Sequence, residues 1–317
     1  MARPLDLALG ALNGAVGDYL VRTNNPLATR MRLVQNGASL PAEREAIAGA
    51  HEQLTSRAVV LVHGLMCTED VFRFPDGSDY GSLLSRDLGV CPYYVRYNSG
   101  LPIAETGAQL AQLLEALTVA YPIGLEELIV VGYSMGGLVV RSACHVGAAK
   151  GHAWLRRVQR AIYVGTPHLG APLERYVRTL TSLLKNIDDP YAQIAADIAD
   201  LRSDGIRDLG DADLRHEDRA NWRASVRLRD PRHPVPLLPQ LRHYLVAGTV
   251  SRDPQLVELF GDALVPVESA TAGNTCPKTH AFAPGHVRVF PEVSHVSLAR
   301  HMDVYDQIRT WCEEQPT

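Results

Sequence analysis

The chain has 317 residues, 46% of them hydrophobic and 21% charged, with 31 basic against 35 acidic side chains. That size and apolar content suit a globular protein with a substantial core, as one large domain or two small ones. The near-balanced charge, without a polybasic cluster, argues against nucleic acid or an anionic membrane as partner, and the longest apolar runs are far too short for a transmembrane helix.

Taken in chain order, Leu5, Leu9, Leu12, Val16, Tyr19 and Leu20 recur at helical spacing, so the first twenty residues are expected to form an amphipathic helix. Its polar face lacks the Lys/Arg density of a membrane-surface helix, so the reading is a helix packed on the main body. Asn13, Gly14 and Asp18 interrupt any apolar run, so the segment lacks the form of a secretory signal and the expected location is cytoplasmic. Cys67, Cys91, Cys144, Cys276 and Cys312 are scattered, odd in number and without a Cys-x-x-Cys pair. This favours reduced thiols over a disulfide framework or a zinc site. Asn24-Asn25-Pro26 ends the first helix, and residues 41–53 read as a second short one. Residues 1–53 are thus expected to be a helical extension packed on a core spanning 54–317.

From there strands and helices alternate. Strands are expected at Ala58–Val62, Tyr93–Tyr97, Glu127–Val131, Ala161–Gly165, His243–Ala247 and His286–Phe290. Helices are expected at Ile103–Ala120, from Gly136 to Ala149, and at Ser297–Cys312. This alternation predicts an α/β fold with a mainly parallel sheet covered on both faces. Residues 173–239 break the rhythm. Val177, Leu180, Leu184 and Ile187 form one helical stripe, and Tyr191, Ile194, Ile198 and Leu201 a second, followed by a charged and then proline-rich tail. The stretch reads as a helical insertion between two core strands.

The most informative motif is Gly132-Tyr133-Ser134-Met135-Gly136. A bare Gly-x-Ser-x-Gly is expected by chance in roughly one chain in ten of this composition, so its flanks must carry it. Here a buried-type strand precedes it and a Gly/Ala/Val/Leu helix follows, the context of a nucleophile elbow. A serine needs a base, and the base needs an orienting acid, both at the carboxyl ends of later strands. His295, in the loop after the last strand, fits the base better than His280, His286 or His301. Asp262, in Gly261-Asp262-Ala263-Leu264, fits the acid, with Asp253 and Glu258 as rivals. Two backbone donors are needed for a developing oxyanion. Met135 follows the serine, and Val62-His63-Gly64-Leu65 offers Leu65, with Met66 as its rival. His63 reads as a loop brace and His168 as part of a pocket wall.

These segments, together with Gly165-Thr166-Pro167-His168-Leu169-Gly170, resemble an α/β-hydrolase, and within that fold the bacterial lipases and the related family of the GPI inositol-deacylase domain. The likeness runs from about Ala58 to the C-terminus; Tyr133 departs from it, because those lipases often carry histidine there. The resemblance implies hydrolysis of a carboxylic ester through an acyl-enzyme, by Ser134, Asp262 and His295 with Leu65 and Met135 as oxyanion donors. It implies no organic cofactor, and no metal ligands can be placed. It makes the 173–239 insertion a lid over an acyl pocket and the substrate a hydrophobic acyl ester, as a small molecule or a lipid met by peripheral contact. The same serine machinery suits a thioesterase or acyltransferase, and a hydrolase scaffold can also serve as a non-catalytic binder of lipid or a partner.

Overall fold

The computed structural model describes residues 4–171, 203–215, 235, 237–253, 261–272 and 285–314. Among them eight strands form one sheet in the order β2-β1-β4-β3-β5-β6-β7-β8. The strands are β1 (Arg32–Gln35), β2 (Ala38–Leu40), β3 (Arg57–Val62), β4 (Cys91–Arg96), β5 (Glu127–Tyr133), β6 (Val158–Val164), β7 (Arg242–Gly248) and β8 (Val287–Phe290). From β4 to β8 every pairing is parallel, whereas β1 runs antiparallel to both β2 and β4.

Parallel strands need apolar side chains on both faces, and these have them. In β3, Ala58, Val60 and Val62 face one core layer while Val59 and Leu61 face the other. The first layer holds α1 (Pro4–Arg22), α4 (Ile103–Ala120) and α5 (Met135–Lys150); the second holds α3 (Tyr80–Leu88) and α9 (Met302–Glu313). The expected mainly parallel sheet with helices on both faces is the observed fold. The strand order reverses around β3, with β4 on one side and β5 on the other. Ligands of open α/β sheets bind at such a switch, outside the carboxyl ends of the strands.

Four local differences from the sequence reading have physical causes. The stretch 1–53 is not purely helical beyond its first helix and α2 (Arg44–Gly49), because β1 and β2 form a hairpin that extends the main sheet. Asn36 (φ 50°) and Gly37 (φ 76°) make its two-residue turn, and positive φ at both central positions matches the twist of the flanking strands. The helix α3 carries none of the long periodic pattern that marks a helix by eye, but Asp79 and Ser82 cap each other at its start and Gly89 (φ 64°) closes it. Within α1, Val16 leaves helical geometry (φ −139°), so the first helix is kinked.

The closing helix is likewise two pieces, a short turn α8 (His295–Leu298) and then α9. The Tyr80 hydroxyl donates to Leu298 O (2.6 Å) and accepts from His301 N–H (3.3 Å), replacing the helical bonds that would have joined them. Of the 173–239 insertion, the described part includes α6 (Asp204–Asp211), capped by the Ser203 hydroxyl; both helical stripes, from Val177 to Ile187 and from Tyr191 to Leu201, lie outside the described residues. A further short helix, α7 (Val267–Ala270), follows the Asp262 loop.

Candidate active site

The carboxyl end of β5 delivers Ser134 with φ 52° and ψ −126°, a strained backbone for a residue with a Cβ. The turn is possible only because of its glycines. A Cβ on Gly132 would lie 2.5 Å from Gly137 Cα, and one on Gly136 would lie 2.4 Å from the carbonyl oxygens of Val62 and His63. The elbow is therefore pressed directly against the end of β3. Its backbone is also tied sideways, since Ser134 N–H donates to Val164 O on β6 (2.8 Å).

Asp262 and His295 meet beside it. His295 Nδ1 lies 2.7 Å from Asp262 Oδ2, with both side chains buried. An ionised carboxylate only accepts, so Nδ1 carries the proton. The other oxygen, Oδ1, accepts from Leu264 N–H (3.0 Å) and Val265 N–H (2.7 Å), which fixes the carboxylate before it meets the ring. The two loops are joined again where His295 N–H donates to Asp262 O (2.9 Å). The imidazole packs on the strand ends: a Cβ on Gly165, the residue after Val164, would lie 3.1 Å from His295 Cε1. Tyr133, directly before Ser134, holds the ring from the other side, its hydroxyl donating to His295 O (3.1 Å) and its ring 5.2 Å away. The serine, the imidazole and the carboxylate thus occupy one corner at the ends of β5, β6 and β7.

The loop after β3 completes the corner. A Cβ on Gly64 would lie 3.0 Å from Ser134 Cβ, so this loop runs along the serine. The next residue, Leu65, has an N–H with no acceptor among the described residues. Met66 N–H is already taken, donating to Ser99 Oγ at 3.0 Å. Of the two rivals, Leu65 is the one with a donor to spare. Met135 is the first residue of α5, a position whose N–H has no acceptor within the helix. His63 is a brace: its Nδ1 meets Gly64 O (2.8 Å), its ring stacks on Tyr97 (4.4 Å), and burial holds its pKa down at about 4. It is a neutral imidazole at physiological pH.

The other candidates fall elsewhere. His286 stands before the first residue of β8, at the amino end of the sheet, where its ring packs 4.3 Å from Tyr244. His301 caps α9. Asp253 is exposed whereas Asp262 is 1% exposed. Glu258 and His280 lie outside the described residues. His168 sits after β6 beside Arg141 and Tyr163. Burial pushes the thiols of Cys144 and Cys312 up to about 12, so neither is a nucleophile at neutral pH. The described residues contain no group of three or more metal-type side chains, and no described helix is long and apolar enough to cross a membrane. Two contributors escaped the sequence reading, Tyr133 and Ser99. Ser99 had a usable signal, since Asn98-Ser99-Gly100 follows β4, one of the strands flanking the switch point.

Residues 59–307 match the family model described as the alpha/beta hydrolase family. Among solved structures, the chain is similar to the lipase BlEst2 of Bacillus licheniformis. Against its mature form the TM-score is 0.51 at 19% identity, covering 82% of this chain and 94% of that one. Against its propeptide form the TM-score is 0.52 at 17% identity, covering 84% and 52%. At such identity the likeness is one of fold. A search of the curated proteins finds no match. With the family model spanning most of its length, and the sheet, the elbow and the strand-end loops in place, the chain belongs to the alpha/beta hydrolase family.

Proposed function

We propose that the protein hydrolyses carboxylic esters with a hydrophobic acyl group, through an acyl-enzyme on Ser134. The observation that carries this reading is the buried Asp262–His295 pair, 2.7 Å apart, set beside a serine in elbow geometry. In the first half-reaction His295 Nε2 takes the Ser134 proton as Oγ attacks the carbonyl carbon. The oxyanion is stabilised by the Leu65 and Met135 N–H groups. The C–O bond then breaks, and the alcohol departs with the proton from His295. In the second, water gives its proton to His295 and attacks the acyl carbon. Collapse returns the proton to Ser134 Oγ and frees the acid. Asp262 keeps Nδ1 protonated and stabilises the imidazolium without itself taking a proton. No step requires a cofactor or a metal.

The apolar acyl preference is supported by the lipase likeness and by the apolar residues Leu65 and Met66 in the loop after β3. In this reading the enzyme works in a reducing cytoplasm; the described cysteines are all free thiols.

The test is hydrolysis of p-nitrophenyl esters from acetate to palmitate by wild type and Ser134→Ala. Turnover that disappears in Ser134→Ala, with an optimum beyond the shortest chains, is expected. Turnover of acyl-CoA thioesters in place of every oxygen ester would move the reaction to thioester cleavage. Turnover of neither would remove the hydrolase reading.

A further inference from the structure

The N-terminal helix α1 lies outside the family-matched residues 59–307, yet it is built into the loop that carries Leu65. Gly14 of α1 touches Met66: a Cβ there would lie 2.7 Å from Met66 N and 2.8 Å from its Cα. Three residues on, a Cβ at Gly17 would lie 1.8 Å from Asn98 Oδ1, and the Asn98 amide donates to Gly17 O (3.0 Å). In return, Gly100 closes on Asn13 O, where a Cβ would come within 2.2 Å. Asp6 pairs with Arg96 (3.0 Å), which also binds Glu69, just past the same loop. The Ser203 hydroxyl closes the back of the helix by donating to Gly14 O (2.7 Å).

Met66 itself is in the left-handed region (φ 57°) and 6% exposed. A non-glycine residue keeps that conformation only when its surroundings over-determine it. Here Gly14 packs closely on its backbone and Ser99 Oγ accepts from its N–H.

We propose that α1, through Gly14, and Ser99, through its hydroxyl, are positioning residues that hold Met66 left-handed and thereby aim the adjacent Leu65 N–H at the substrate oxyanion. The proposal rests on the ester-hydrolysis reading and adds to it a part of the chain the family does not supply. Neither residue touches substrate. Their effect is confined to the transition state, because the ground-state carbonyl depends less on that donor than the oxyanion does.

Ser99→Ala removes one buried hydroxyl and no bulk, so it is the primary variant. Its kcat should fall ~10- to 100-fold, the scale of a misplacement of about 1 Å, with KM little changed. Affinity for a trifluoromethyl ketone, which adds Ser134 to form a hemiketal oxyanion, should fall by the same factor. Affinity for the matching methyl ketone, which binds as the neutral carbonyl, should hold. Gly14→Ala should act in the same direction and more strongly; if it fails to fold, Ser99→Ala decides alone. Leu5→Ala, on the exposed face of α1, is the control and should behave as wild type.

A folded Ser99→Ala with wild-type kcat and ketone affinity overturns the proposal, as does an equal loss of both ketones, which would mean a damaged pocket. If the wild type has no Ser134-dependent turnover, the ester reading itself falls and takes this proposal with it. An active wild type with an unaffected Ser99→Ala removes the positioning role alone.

Discussion

The strand β5 starts and finishes on buried polar side chains, and its two ends are built to opposite rules. At the amino end, Glu127 is clasped by Arg57 (2.7 Å) and Arg160, and Arg160 donates onward to Trp311 O (2.8 Å). Glu127, Arg57 and Arg160 all have their partners, and although the β5–β6 register shifts between Leu128 and Ile129, no residue of β5 or β6 has a positive φ. At the carboxyl end the backbone is held in unfavourable conformations. Met66, Ser134, Ala263 and Glu292 all have positive φ without being glycine. Each neighbours, or is, a residue of the proposed machinery: Leu65, Ser134, Asp262 and, three residues further on, His295. One end of the sheet stores satisfied charge and the other stores strain, which is the expected division between a floor that holds the fold and a rim that acts on a ligand.

If that division is right, variants at the rim should lower the rate far more than they lower stability. His295→Ala should reduce kcat by about 10⁴-fold or more in the fraction that folds. Asp262→Asn should cost somewhat less, with ~10⁴ as its ceiling, because the imidazole is retained but its tautomer is no longer enforced. An Asp262→Asn enzyme with wild-type kcat would transfer the acid role to Asp253 or Glu258.

Variants at the floor should do the reverse. Glu127→Ala leaves two arginines facing a buried gap and should destabilise by about 3–5 kcal/mol in urea unfolding. The surviving folded fraction should turn over substrate at the wild-type kcat per active site, counted by fluorophosphonate labelling of Ser134. A lowered kcat per labelled site would break the separation between the two ends.

The contrast also marks what a sequence discloses. The elbow, the parallel sheet and the Asp262 and His295 loops were legible, because strand–turn–helix punctuation is local and the order of candidate residues follows the strands. The hairpin at Asn36-Gly37 was equally local and carried its own signal, an Asn-Gly pair between two short β-type runs. The break between α8 and α9 was not legible, since it depends on Tyr80, 218 residues from Leu298, supplying a hydroxyl in place of a helical bond. The engagement of α1 with Met66 was hidden for the same reason. In the sequence Gly14 reads only as an interruption of an apolar run, and only the packing shows that Gly10 and Gly14 meet the loop after β3 and Gly17 the loop after β4.

His63 tests the comparison through pH, because it sits at the rim yet acts as a brace. Its folded pKa, about 4, lies below the ordinary 6.5 because burial disfavours the charged ring. As pH falls below 6.5 the unfolded chain takes up a proton that the folded chain refuses until about pH 4. Stability from this group is therefore complete above pH 6.5 and drains away between 6.5 and 4, by about 3 kcal/mol in all. At pH 5 the loss relative to pH 7.5 should be about 2 kcal/mol. Urea unfolding at the two pH values should show that drop in wild type. His63→Phe keeps a ring to stack on Tyr97 but cannot titrate, so its drop should be smaller by that amount. Equal drops in both proteins would mean that His63 does titrate freely in the folded state.

The mildest expected effect comes from the sheet edge, remote from both ends of β5. Gly37 has φ 76° and nothing within 4 Å of where a Cβ would stand. Gly37→Ala thus meets no packing obstacle, and its cost is that of a left-handed backbone for a residue with a side chain, about 1 kcal/mol. Gly14→Ala is the opposite case, with an ordinary backbone and no room. Comparing the two glycines separates strain from packing in one protein. Gly37→Ala should shift the urea midpoint by the equivalent of about 1 kcal/mol with kcat and KM unchanged. A fall in kcat at this edge would mean that β1, through its pairing with β4, reaches the Asn98–Gly100 loop, and that the rim extends further along the sheet than its strained residues mark.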